Sequence, residues 1–127
     1  MTASRRDLLT AAAAAAVAAA LPARAAETHR VNIAADKTAF DPAELRIRTG
    51  DTVRWRNRSI VEHSVVCDPA KAKDRSNTAL PPGAQPFDSG GFSDDAAFQH
   101  TFTVPGTYRY FCREHEAMGM VATVIVA

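Results

Sequence analysis

The stretch YFCREHEAMGM, residues 110–120, brings three potential metal ligands within nine residues. Cys112 offers a thiolate, His115 an imidazole and Met120 a thioether. One more imidazole from elsewhere in the chain would complete a trigonal site of two His and one Cys with a weak axial Met, a ligand set that suits copper changing between Cu(II) and Cu(I). The stretch therefore predicts a mononuclear copper site, with the rest of the chain as its scaffold.

Short runs of alternating apolar and polar residues surround this stretch, and turn signals such as Thr49-Gly50-Asp51 and Pro105-Gly106 separate them. No convincing helix pattern follows residue 25. We expect about seven or eight short strands, which predicts an all-β Greek-key β-sandwich. The expected strands cover residues 30–34, 45–48, 52–58, 64–67, 87–91, 97–104, 107–111 and 121–126.

The spacing of the ligands resembles a known loop. Cys followed by His at the third position and Met at the eighth is similar to the ligand loop of the plastocyanin and pseudoazurin group of cupredoxins. The run PGTYRYFC, residues 105–112, also resembles that family. The family spacing favours Met120 over its neighbour Met118. A binuclear purple copper site needs a second Cys inside the loop, which the sequence lacks.

The first half of the domain carries the same resemblance in the run TGDTVRWRN, residues 49–57, and in the His63 that follows it. In cupredoxins the His after this Asn-bearing strand is the first copper ligand. The resemblance covers roughly residues 30–127. It implies that His63, Cys112, His115 and Met120 hold one copper ion and that the protein carries single electrons between transient redox partners.

Two other interpretations stay open at this point. A Cys67–Cys112 disulfide would make the chain a metal-free interaction module, because paired Cys are common in exported proteins. A copper-trafficking protein could use the same ligands without redox turnover. An enzyme is not expected, since no nucleophile–base pair or carboxylate dyad stands out. His100 shares a face with aromatic residues and is expected to be structural.

Residues 1–25 resemble an export signal of the twin-arginine type. Arg5 and Arg6 precede an Ala-rich apolar run, and small residues surround Arg24. The apolar run is shorter than the roughly 20 residues that span a bilayer. We therefore expect a cupredoxin domain over 26–127, in the bacterial periplasm, without a membrane span.

The expected mature chain has 12 basic and 13 acidic residues, so its net charge argues against a generalised nucleic-acid or membrane-surface binder. A monomer is expected. Five arginines are expected on the solvent face of two neighbouring strands, at positions 46, 48, 54, 56 and 58.

Three positions depart from the family pattern. Glu62 and Glu114 stand where plastocyanins commonly carry Pro, and negative charge at these places is expected to favour Cu(II) and lower the reduction potential. Ser64 replaces the common Asn that ties the two ligand loops together.

Overall fold

The computed structural model describes residues 24–127, and most of the predicted export signal lies outside these residues. They form eight β-strands and two short 3-10 helices, Arg75–Asn77 and Arg113–Met118. Both 3-10 helices lie in segments where the sequence pattern predicts no helix. The strands are β1 (Thr28–Ile33), β2 (Glu44–Ile47), β3 (Thr52–Asn57), β4 (Val66–Cys67), β5 (Phe87–Asp88), β6 (Ala97–Thr101), β7 (Gly106–Phe111) and β8 (Val121–Val126).

The strands are arranged in two sheets, which confirms the predicted β-sandwich. The smaller sheet has the order β1-β3-β6, and the larger has the order β2-β8-β7-β4-β5. β1 pairs with β3, and β2 with β8, in parallel, while the remaining pairs are antiparallel. Because β7 and β8 are adjacent antiparallel strands, the ligand stretch between them lies at one end of the sandwich.

Period-two alternation decides which side chains enter the core. In β3, Val53 and Trp55 are fully buried while Arg54 and Arg56, which alternate with them, face solvent. Trp55 also joins the two sheets, since its indole N–H donates to the buried hydroxyl of Tyr110 on β7 at 3.1 Å. Each of these large rings thus buries apolar area and satisfies its own polar atom.

The prediction that five arginines share one face is wrong in part. Arg46 and Arg48 belong to β2 and the turn after it, at the edge of the larger sheet. β3 lies between β1 and β6, and its pairing with β1 places Arg30 directly opposite Arg54. The sequence pattern gave the correct alternation within each strand, but strand order is set by tertiary pairing.

Asp51, in the turn between β2 and β3, is completely buried and well supplied with hydrogen bonds. Its carboxylate accepts bonds from the Arg24 guanidinium at 3.1 and 3.2 Å, from the Glu27 and Arg48 backbone N–H groups at 3.0 and 3.1 Å, and lies 2.9 Å from His29 Nε2. The Arg24 bond and these further donors hold the pKa of Asp51 well below its usual range. Asp51 therefore ties the start of the domain to the β2–β3 turn.

His100 lies where the sequence pattern predicts, half-buried among aromatic rings. Its ring stacks on Phe87 with centroids 4.0 Å apart and meets the edge of Phe102 at 4.8 Å. Burial lowers the pKa of His100, so the ring is neutral near pH 7. Among residues 24–127, no helix has the length and apolar character needed to cross a membrane.

Candidate metal centre

His63 lies in the connection between β3 and β4, and a buried amide fixes that connection. Asn57, at the end of β3, donates its Nδ2 hydrogens to the carbonyls of Val61 at 2.9 Å and Phe92 at 2.7 Å. His63 and Phe92 also exchange two backbone hydrogen bonds, at 3.1 and 2.9 Å. The Asn57 side-chain oxygen accepts from the N–H and hydroxyl of Ser59. The main chain before His63 therefore has little freedom to move.

The ligand loop closes on itself between β7 and β8. The Cys112 N–H donates to the Met120 carbonyl at 3.0 Å, and the Met120 N–H donates to the His115 carbonyl at 3.3 Å. The His115 N–H in turn donates to the Cys112 carbonyl at 3.2 Å. Gly119 has a φ of 79°, a left-handed conformation that glycine adopts without steric cost, and it ends the 3-10 helix.

Three potential ligand atoms converge at this end of the sandwich. Cys112 Sγ lies 3.6 Å from His63 Nδ1 and 3.3 Å from His115 Nδ1, and the three atoms lie within 4.8 Å of one another. His63 and Cys112 are buried, whereas His115 is half-buried. Two imidazole nitrogens and one thiol sulfur facing the same point are the donor set that copper prefers.

Burial shifts the pKa values of two groups in this cluster. It raises the pKa of the Cys112 thiol, and burial together with His115 lowers the pKa of His63. A neutral imidazole is ready to coordinate a metal, and the thiol must lose its proton to do so. The residues present therefore fit a copper ion that takes the place of the thiol proton.

The two methionines of the loop have different surroundings. Met120 is 1% exposed and belongs to the core cluster that contains Cys112, whereas Met118 is 68% exposed. A thioether that would join Cys112 and His63 at one metal ion has to be buried with them, because both of these residues are buried. Burial thus agrees with the family spacing in favouring Met120.

Ser64 joins the two ligand-bearing segments. Its backbone N–H points at Cys112 Sγ at 3.5 Å, and its hydroxyl accepts from the Arg113 N–H at 2.9 Å while donating to Glu114 Oε1 at 2.7 Å. The loss of the usual Asn is therefore compensated by a shorter hydroxyl that reaches a carboxylate. The sequence showed the substitution but not this partner, because Ser64 and Glu114 are far apart along the chain.

Glu116 is a functional residue that the sequence did not reveal. Its side chain is buried and accepts hydrogen bonds from the Lys73 N–H at 3.1 Å, the Asp74 N–H at 3.0 Å and the Asn77 amide at 3.1 Å. Burial opposes its ionisation, yet these hydrogen bonds lower its pKa. Glu116 thus fastens the connection 68–86 to the ligand loop beside His115.

Cys67 takes no part in the cluster, and the disulfide interpretation is wrong for this structure. Cys67 and Cys112 are both free and buried. The Cys67 thiol lies 3.3 Å from the Ala79 carbonyl and 3.5 Å from the Arg109 carbonyl, to which it can donate. Burial raises its pKa to about 12, which makes it an inert thiol.

Comparison with known proteins agrees with this geometry. Residues 27–127 match the family model of copper-binding proteins of the plastocyanin/azurin family. The chain belongs to this family. Plastocyanin from Nostoc punctiforme is 36% identical to this cupredoxin over 115 residues, covering 83% of this chain and 78% of the relative. Plastocyanin from a Synechococcus strain is 34% identical over 110 residues, covering 80% and 75%.

Solved structures of cupredoxins are similar in fold. A pseudoazurin from Sinorhizobium has 28% identity and a TM-score of 0.62, over 80% of this chain and 74% of that chain. An amicyanin variant in its reduced state has 31% identity and a TM-score of 0.61, over 86% and 89%. The predicted family, fold and single copper cofactor are confirmed.

Proposed function

We propose that this cupredoxin is an exported carrier of single electrons that holds its copper ion through His63, Cys112, His115 and Met120. The convergence of Cys112 Sγ with two imidazole Nδ1 atoms inside 4.8 Å carries the proposal. The named relatives are plastocyanins, and the structural neighbours include pseudoazurins and amicyanins. Export rests on the paired arginines and the Ala-rich run near the start of the chain.

Copper, when bound, supplies the Cu(II)/Cu(I) couple. The residues supply a site that changes little between the two states. Asn57 and the Phe92 bridge hold the His63 segment, and the loop hydrogen bonds hold the other three ligands. Because these supports are backbone and buried amide contacts, they do not depend on the metal's charge. Little reorganisation is then needed at each electron transfer.

His115 is half-buried, whereas the other three proposed ligands are buried. Its imidazole would therefore offer the shortest path for an electron between the metal site and a partner. The large hydrophobic side chains exposed in the described part of the chain all belong to ligand-bearing segments. Ile60 and Val61, 87% and 48% exposed, precede His63, and Met118 lies in the ligand loop. Exposed apolar side chains on both ligand-bearing segments fit a brief encounter with a redox partner, the kind of contact that buries less than about 1,200 Å².

The two buried cysteines should respond differently to substitution by serine. Cys112→Ser removes the proposed thiolate ligand, and Cys67→Ser is the matched control because Cys67 contacts only carbonyls among its polar neighbours. Each protein receives one equivalent of Cu(II) for visible absorption and electron paramagnetic resonance. We expect an intense thiolate-to-copper band with a small parallel hyperfine splitting in the wild type and Cys67→Ser. Cys112→Ser should lose both.

A copper-trafficking role is tested on the same samples. A carrier should retain its copper through repeated reduction and oxidation and regain its full absorption each time. Release of the ion on reduction would instead favour trafficking, and a colourless wild type would remove the electron-carrier proposal.

A further inference from the structure

Four arginines share the outer face of the smaller sheet. Arg30 on β1 lies directly opposite Arg54 on β3, and Arg56 and Arg58 continue the row along β3 and just beyond its end. All four are exposed. With Thr28 and Asn32 they line a groove of about 440 Å³. We call Arg30, Arg54, Arg56 and Arg58 the arginine face.

The arginine face has little internal compensation. Arg56 forms an ion pair with Asp95, whose carboxylate is also stabilised by the nearby charge of Arg58. Within residues 24–127 no carboxylate lies at ion-pair distance from Arg30, Arg54 or Arg58. Like charges on paired strands destabilise a sheet. Residues 24–127 as a whole carry 13 basic and 13 acidic side chains, so the face is a local concentration of charge and not a consequence of a basic protein.

The arginine face leads to the copper end of the molecule. From Arg54 to Arg58 the row extends about 13 Å along the strand direction at about 3.3 Å per residue. Buried Ser59 and exposed Ile60 and Val61 come next in the chain, immediately before the His63 segment. The basic face and the exposed apolar residues are therefore successive along the chain, on the segment that leads from β3 to His63.

We propose that the arginine face binds a carboxylate-rich surface of the redox partner protein while the apolar residues meet its electron-exchange site. This inference rests on the proposed electron-carrier function. Guanidinium groups form paired hydrogen bonds with carboxylates, and complementary charge speeds encounter more than it tightens the complex. Asp95, which pairs with Arg56, would repel a long polyanion that follows the whole row, and it therefore favours a compact acidic patch as the partner surface.

The test uses hexaglutamate as a probe of the copper-loaded protein, with binding followed by amide chemical shifts at low salt. The variant Arg54→Gln with Arg58→Gln removes two charges from the arginine face. The control, Arg46→Gln with Arg48→Gln, removes two exposed charges from the β2 edge. We expect shifts at β1 and β3 and a roughly tenfold loss of affinity in the first variant, from about two surface ion pairs. Less than a twofold loss is expected in the control.

Equal losses in both double variants would mean that only net charge matters and would overturn the proposal. Absence of hexaglutamate binding would also overturn it, as would tighter binding of phosphatidylglycerol vesicles or a DNA oligonucleotide than of hexaglutamate. The blue absorption band is recorded on every sample. A protein that binds the probe through the arginine face but lacks the band would refute the proposed electron-carrier function. The arginine face would then still be supported as an anion-binding surface.

Discussion

Glu114 places a carboxylate oxygen 3.5 Å from Cys112 Sγ, close enough to act on the charge of the proposed metal site. Negative charge there stabilises the more positive oxidation state. Glu114→Gln keeps the shape and an oxygen that Ser64 can bond, but it removes the charge. We expect the reduction potential to rise by about 40 mV, equivalent to about 1 kcal/mol for a one-electron couple, measured by protein-film voltammetry.

Glu62→Gln is the matched control for this potential. Glu62 also precedes a proposed ligand, but within residues 24–127 the hydrogen-bond contacts of Cys112 Sγ are with Ser64, Glu114 and the two histidines and not with Glu62. Its effect should be less than half as large, since solvent screens a charge that does not contact the thiol. An equal rise in both variants would show that long-range charge and not the Glu114 contact sets the potential. Both glutamates were expected from the sequence to lower the potential, but only the structure distinguishes them.

The ligand loop and the connection 68–86 behave as one element through Glu116. Glu116→Ala would leave the Lys73 and Asp74 N–H groups without their acceptor. We expect the free energy of unfolding to fall by about 2 kcal/mol, because buried hydrogen bonds to a charged group are lost. Urea denaturation of the copper-free protein measures this loss, and hydrogen exchange should accelerate at the Lys73 and Asp74 amides.

Glu44→Ala, at the exposed start of β2, is the control for Glu116 and should change the free energy of unfolding by less than about 0.5 kcal/mol. Unchanged exchange at the two amides in Glu116→Ala would contradict the fastening of the connection. Hydrophobic periodicity could not predict this contact. The donors are backbone N–H groups of a polar segment. Residue types do not indicate which backbone N–H groups of a loop will find an acceptor elsewhere in the chain.

At the scale of the whole molecule, we expect the thermal stability at low pH to depend on Asp51, which links the start of the domain to the β2–β3 turn. Its pKa is lowered in the folded state by the Arg24 guanidinium, and also by the Glu27 and Arg48 N–H groups and His29. These last donors lie within the predicted domain 26–127 and remain if the predicted export signal, which includes Arg24, is removed. A lowered folded pKa gives stability above the unfolded value of about 4, and this contribution is lost as the pH falls below it. The wild type should therefore lose thermal stability between pH 5 and pH 3.

Asp51→Asn should be less stable than the wild type at pH 7 and should show a smaller further loss between pH 5 and pH 3, by differential scanning calorimetry. Asp36→Asn, exposed in the β1–β2 connection, should keep the wild-type pH dependence. If Asp51→Asn lost stability with acid as steeply as the wild type, another carboxylate would have to be the cause.

The local features of this protein follow from short stretches of its amino-acid sequence. Period-two alternation predicted the strands because each strand buries one face, and the spacing of Cys112, His115 and Met120 predicted the ligand loop because those residues are neighbours in the chain. The copper cofactor and the family are confirmed; the individual ligands, export and a monomeric state stay predictions.

Features that depend on contacts between distant residues became known from the folded structure. It placed Arg30 beside Arg54, moved Arg46 and Arg48 to the other sheet, and gave Glu116 its donors. Strand order and loop anchoring arise from burial and hydrogen bonding between segments that are far apart in the chain. The sequence of a single segment therefore does not predict which other segment will pack beside it.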